Sequence, residues 1–121
     1  MAEILLVDTN PDHVRALSGL VKYRTSSSIR VTNDCVDAVR TAFMNPPDLI
    51  MINAIVFCSA DFGFARALAE SPETAAIPVI VHVSGRLEPL TTKRIRACGV
   101  KKIVELPVSG SITKLEDCTA P

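Results

Sequence analysis

The run Leu49-Ile50-Met51-Ile52, entered from Pro46-Pro47-Asp48 and ended by Asn53, constrains the fold more than any other stretch of this chain. A strand that is apolar on both faces must be covered on both faces, which makes it a central strand of a parallel sheet. Open parallel sheets present ligands to the carboxyl ends of their strands, so Asn53 is predicted to stand at a site.

Other segments fit around that strand. Ile4-Leu5-Leu6-Val7 is a second buried strand that stops at Asp8-Thr9. Asn10 is placed to cap a first helix, with Pro11 at its first position and Val14, Leu17 and Val21 on its inward face. Arg24 to Ser28 reads as a loop. Ile29 and Val31 alternate with polar residues, as in a strand at the sheet edge. Asn33 or Asp34 caps a second helix whose inward stripe is predicted to be Val36, Val39 and Phe43, and Asn45-Pro46-Pro47 ends it.

After Asn53 the pattern predicts a long connection through Phe57, Cys58, Ser59 and Asp61. A third helix with Phe64 and Leu68 then begins near Gly63 and closes at Ser71-Pro72. Ile77 to Val83 is another buried strand before the turn Ser84-Gly85. Pro89 opens a fourth helix carrying Leu90 and Ile95, for which Gly99 is a left-handed C-cap. Lys102 to Leu106 is a fifth strand, broken by Pro107, and Ile112 with Leu115 suggests a brief final helix after Ser109 or Ser111. Alternating strands and helices imply a parallel α/β sheet, and residues 1–121 read as one domain.

Composition narrows the function classes. A chain of 121 residues can bury roughly two thirds of its unfolded surface in one core. With 48% hydrophobic residues but no long apolar run, a membrane span is not expected. Thirteen basic residues balance thirteen acidic ones, which argues against direct attraction to nucleic acid or an anionic membrane. The N-terminus lacks a signal-like pattern, so the expected compartment is the cytoplasm. Cys35, Cys58, Cys98 and Cys118 are widely spaced with no metal-ligand pattern, and they read as free thiols. Neither a G-x-S-x-G elbow nor a glycine-rich phosphate loop is present, and His82, inside an apolar strand, reads as a tolerated interior or edge residue.

The order and spacing of Ile4-Leu5-Leu6-Val7-Asp8, Pro47-Asp48-Leu49-Ile50, Ile77-Pro78-Val79-Ile80-Val81 and the Gly99-to-Pro107 interval resemble bacterial response-regulator receiver domains. The resemblance covers nearly the whole chain. It implies a flavodoxin-like three-layer sandwich, with a five-stranded parallel sheet in order 2-1-3-4-5 and five helices. Members of that family accept a phosphoryl group on an aspartate ending the third strand. A divalent ion, an acidic pair after the first strand, a hydroxyl ending the fourth and a lysine in the fifth assist the transfer.

Carried over residue by residue, the phosphoacceptor position is Asn53, the acidic pair is Asp8 and Thr9, and the lysine position is Leu106. The hydroxyl position is Val83 in the register set by Pro78, or Ser84 after a one-residue slip. Ile103 stands where an aromatic is usual, and the loop after Asn53 is about two residues longer than is typical. The resemblance therefore implies a degenerate receiver that is not an enzyme, with no cofactor and with magnesium binding weak or absent. Asp8 is the one retained acidic position.

What remains is binding. Arg86, Lys93, Arg94, Arg96, Lys101 and Lys102 face only Glu88 between positions 86 and 102, and are candidates for contact with an acidic protein surface. By family analogy the partner is a signalling kinase, another regulator, a covalently linked output domain or a second copy in a homodimer. Two other readings stay open. One is phosphorylation at an unconventional residue such as Ser59, Asp61 or Ser84. The other is a thiol switch at Cys58, the cysteine expected to be most exposed, while Cys98 is expected in the core.

Overall fold

A computed structural model describes residues 2–24 and 27–106. The elements in chain order are β1 (Glu3–Val7), α1 (Pro11–Arg24), β2 (Ser28–Thr32), α2 (Cys35–Met44), β3 (Leu49–Asn53), α3 (Ala54–Ala69), α4 (Pro72–Ala75), β4 (Val79–Ser84), α5 (Pro89–Ala97) and β5 (Lys102–Leu106). All five strands are parallel in the order β2-β1-β3-β4-β5, the expected flavodoxin-like sheet. The final helix predicted around Ile112 and Leu115 lies outside the described residues.

Strand periodicity divides the core into two layers. Leu5, Val7, Ile50, Ile52, Val79 and Val81 point to the side covered by α2, α3 and Ile95 of α5. Ile4, Leu6, Met51, Ile80, Val104 and Leu106 point to the side where α1 contributes Leu17 and Val21. Because β1, β3 and β4 bury side chains on both faces, their sequences are continuously apolar rather than alternating. β2 is an edge strand, and its Val31 is 48% exposed.

The helix termini follow local chemistry. Asn10 Oδ1 accepts the backbone N–H groups of Asp12 at 2.9 Å and His13 at 3.4 Å, the expected cap of α1. Asp34, rather than Asn33, caps α2 by accepting the Asp37 N–H at 2.8 Å. Gly99 has φ +84°, the left-handed position that ends α5. The loop predicted from Arg24 to Ser28 is shorter than expected, since α1 includes Arg24 and β2 starts at Ser28.

One expectation is corrected in part and another is overturned. The connection after Asn53 is partly helical: residues 54–58 form a first helical segment, residues 59–62 leave helical geometry, and the helix resumes at Gly63, where the sequence pattern starts it. Asn53 Oδ1 accepts the Ile55 N–H at 2.8 Å and so starts the helix itself, and residues 54–58 contain neither Gly nor Pro to oppose it. The irregularity comes later, where Ala60, Asp61 and Phe62 have φ values of 53°, 53° and 61°. This left-handed turn is clasped by Arg66, which donates to the carbonyls of Ala60 and Asp61. Ser71-Pro72 does not close α3, which ends at Ala69; Pro72 instead opens the single turn of α4.

The second correction concerns α2. Its fully buried residues are Ala38 and Ala42, whereas Val36 and Phe43 are 71% and 53% exposed. Val39 alone of the predicted stripe packs against the core, at its margin. Small side chains let the helix lie close to β1 and α3, and Cys35 Sγ donates to the Val56 carbonyl at 3.1 Å at that close approach. Choosing the larger apolar residues as the inward face therefore rotates the helix the wrong way. On α5, Ile95 is buried but Leu90 is 67% exposed.

Candidate functional site at the carboxyl edge of the sheet

β1 and β3 end side by side, and each delivers a buried polar residue, Asp8 and Asn53. Both side chains accept the N–H group two residues ahead: Asn10 N to Asp8 Oδ1 at 2.9 Å, and Ile55 N to Asn53 Oδ1 at 2.8 Å. The sheet thus hands its chain to α1 and α3 by the same device.

Asp8 goes further. Continuing the alternation of Ile4 and Leu6, it faces the α1 side, where His82 follows Ile80 on β4 and His13 sits in the first turns of α1. His82 Nε2 donates to Asp8 Oδ2 at 2.7 Å, and His13 Nδ1 lies 3.3 Å from the same oxygen. The imidazoles meet edge to face with centroids 6.4 Å apart. His82 is fully buried, and Asp8 and His13 are 2% and 5% exposed. Burial alone would raise the Asp8 pKa. The hydrogen bonds from His82 and Asn10 and the electrostatic pull of both imidazoles outweigh it, so the carboxyl sits below its usual range. His82 Nδ1 is buried without a hydrogen-bond partner among the described residues.

The sequence pattern does not single out His13, and it makes His82 a mere interior residue. Parity along β4 is the signal that ties His82 to Asp8, but it needs the strand order, since β3 lies between β1 and β4. His82 is also the register partner of Asn53.

Thr9 is exposed and outside this cluster. Val83 is half-buried and packs toward the α3 side, away from Asp8. Ser84 is exposed at the end of β4. Leu106 is buried in the α1-side core, is the register partner of Ser84, and its carbonyl accepts the Gly85 N–H at 2.9 Å.

The donor set does not fit magnesium. A hard cation requires several oxygens around it, whereas the one carboxylate in the pocket already accepts from Asn10 and the imidazoles. No group of three His, Cys, Asp or Glu side chains among the described residues is arranged to hold a metal.

The predicted basic surface is altered by a contact from another element. Arg86, Lys93, Arg96 and Lys101 are exposed and Lys102 is half-buried. Arg94, however, donates to Asp61 Oδ1 at 3.3 Å and stacks 5.0 Å over the Phe62 ring. Glu88 is therefore not the only acid facing this surface; α3 supplies Asp61.

The thiols also differ from expectation. Cys98 is exposed, not core, and Cys58 is half-buried. Burial, followed by the neighbouring Cys98, pushes the Cys58 thiol up despite Arg94 nearby. Burial likewise raises Cys98 and Cys35. Cys118 lies outside the described residues.

No family model matches the chain. Protein PilH of Pseudomonas aeruginosa is 30% identical over 81 residues, covering 67% of this chain and 66% of PilH, a little under two thirds of that protein's length. Among solved structures, a response regulator from Desulfuromonas acetoxidans is 27% identical with a TM-score of 0.72, covering 89% of this chain and 86% of that one. The chemotaxis response regulator CheY4 of Vibrio cholerae has a TM-score of 0.76 at 16% identity over 91% of this chain and 92% of its own, a likeness of fold alone. In sheet order, sequence match and structural neighbours the chain is similar to response-regulator receiver domains, whose fold it shares.

Proposed function

We propose that this receiver domain signals by protein contact without being phosphorylated, as an interaction module of bacterial two-component-type signalling. One observation carries the reading: the two strand-tip oxygens that would serve phosphoryl chemistry already have other partners. Asn53 presents a neutral amide whose oxygen caps α3, and Asp8 is held by Asn10, His82 and His13. A neutral amide does not attack a phosphoryl donor as a carboxylate does. An imidazole-bound carboxylate also has little capacity left for a cation that must neutralise the transferring oxygens.

The remaining positions support the same reading. Leu106 offers no cation to a phosphoryl group, and Val83 offers no hydroxyl to report one. Of the unconventional acceptors, Ser59 donates to the Ile55 carbonyl and Asp61 pairs with Arg66 and Arg94, leaving Ser84, which is exposed at the end of β4. The raised Cys58 pKa argues against a reactive thiolate there. In this reading the domain is not an enzyme. Its partner is a protein, a kinase or another regulator, met in part through Arg86, Lys93, Arg96 and Lys101.

Incubation with a small phosphodonor and magnesium, followed by intact-mass measurement, tests the proposal. The expected result is an unchanged mass. A phosphoryl adduct, mapped to Ser84 or any other residue, overturns it.

A further inference from the structure

The α2 surface is built the opposite way from an ordinary covering helix, with alanines inward and Val36, Phe43 and Met44 outward at 71%, 53% and 76% exposure. Beside these side chains a groove of about 710 Å³ runs between α2 and α3, floored by Val39, Gly63, Phe64 and Ala67. A protruding apolar ridge and a concave apolar channel therefore lie next to each other on one face. Large exposed apolar patches of this kind mark association surfaces.

Charge selects the occupant. Arg40 stands on the α2 side of the groove and Glu70 on the α3 side, both are exposed, and neither has an ion-pair partner among the described residues. A strongly acidic partner would meet Glu70, and a strongly basic one would meet Arg40. A second copy related by a two-fold axis satisfies both, because laying its α2 in this groove brings its Arg40 toward Glu70 of the first, and the reverse. The chain has formal net charge zero, so two copies approach without mutual repulsion.

We propose that two copies of this chain associate through the α2–α3 face about a two-fold axis, with the ridge of each seated in the groove of the other. Val36 and Phe43 are the apolar anchors, and Arg40 with Glu70 sets the orientation. This surface is separate from the strand-tip pocket and from the basic residues of α5, so the inference goes beyond the proposed mode of signalling.

Sedimentation equilibrium of the full chain over a wide concentration range tests it. The expected result is a monomer–dimer equilibrium whose dissociation constant rises by about 100-fold in Val36→Glu/Phe43→Glu. Thermal unfolding measured at low concentration should show that this doubly substituted chain still folds, since both side chains are exposed. Arg40→Glu alone should weaken association about tenfold, and adding Glu70→Arg should restore it, a reciprocal rescue that a structural defect cannot produce. A monomer at every concentration overturns the proposal, as does a dimer indifferent to Val36→Glu/Phe43→Glu or a charge swap that fails to rescue. A monomer whose groove instead takes up an amphipathic helical peptide assigns the face to a different occupant and equally overturns it.

Discussion

The strand-tip pocket and the α2–α3 groove are opposites. In the pocket, polar groups are buried and turned on one another, with Asp8 accepting from a backbone N–H and from imidazoles on two other elements. In the groove, apolar groups face outward together with Arg40 and Glu70, charges without an ion-pair partner among the described residues. A closed polar cluster holds a conformation, while an open apolar channel supplies free energy only when something covers it. In a fold whose sheet edge is the usual place for chemistry, a helix face keeps large apolar side chains uncovered.

The largest effect should come from opening the pocket. Asp8→Ala leaves His82 buried without its acceptor and removes the partner of His13, and is expected to cost about 3 kcal/mol in urea unfolding. A change within about 0.5 kcal/mol, the range of an ordinary surface substitution, would break the comparison. The same carboxylate should shape the acid limb of stability. Its folded pKa is depressed, so its contribution is complete above the unfolded carboxyl value of about 3.9 and is lost as pH falls through the lower folded value. Unfolding followed from neutral pH downward should show that loss in the natural chain, and a flatter acid limb in Asp8→Ala.

Next in size is the contrast within α2. Ala42→Leu forces a larger side chain against the core and should destabilise by about 1–3 kcal/mol. Phe43→Ser, one residue along, should stay within about 0.5 kcal/mol in the monomer. Thermal unfolding of both at low protein concentration sharpens the assignment of inner and outer faces, and equal losses would refute it.

Smaller again is the effect expected at Asn53. Aspartate caps a helix as well as asparagine does, but here it sets a second buried carboxylate beside Asp8, so Asn53→Asp should destabilise by about 1 kcal/mol at neutral pH. It should also fail to restore phosphorylation, because Thr9, Val83 and Leu106 still supply neither acid, hydroxyl nor cation. Labelling by a receiver kinase at ordinary rates would show that the rest of the pocket is competent.

How far these regions were legible in the sequence follows from the range of the forces involved. β1, β3 and β4 are continuous apolar runs, and Asn10, Pro89 and Gly99 act on their own helix ends, so local pattern was enough to find them. Asp8 with His82 is a contact across 74 positions and past an intervening strand, which no local spacing encodes. Side-chain size does not reveal the inward face of α2, because close approach of helix to sheet selects Ala38 and Ala42. The helix after Asn53 was hidden for a similar reason: its cap is the strand's own last residue, so the boundary carries no separate signal. The pairing of Arg94 with Asp61 spans 33 positions, beyond the reach of a local charge count.

The alanine-lined α2 places two neighbouring positions under different rules of inheritance. At Ala42 any drift toward a larger side chain is opposed within each single folded molecule, whatever the domain contacts. At Phe43, 53% exposed, the isolated fold resists replacement by a polar residue only weakly, so retention of an apolar side chain there points to association. Orthologous chains therefore carry a record of their own: smallness at 38 and 42 reports the fold, and apolarity at 36 and 43 reports whether the groove is in use.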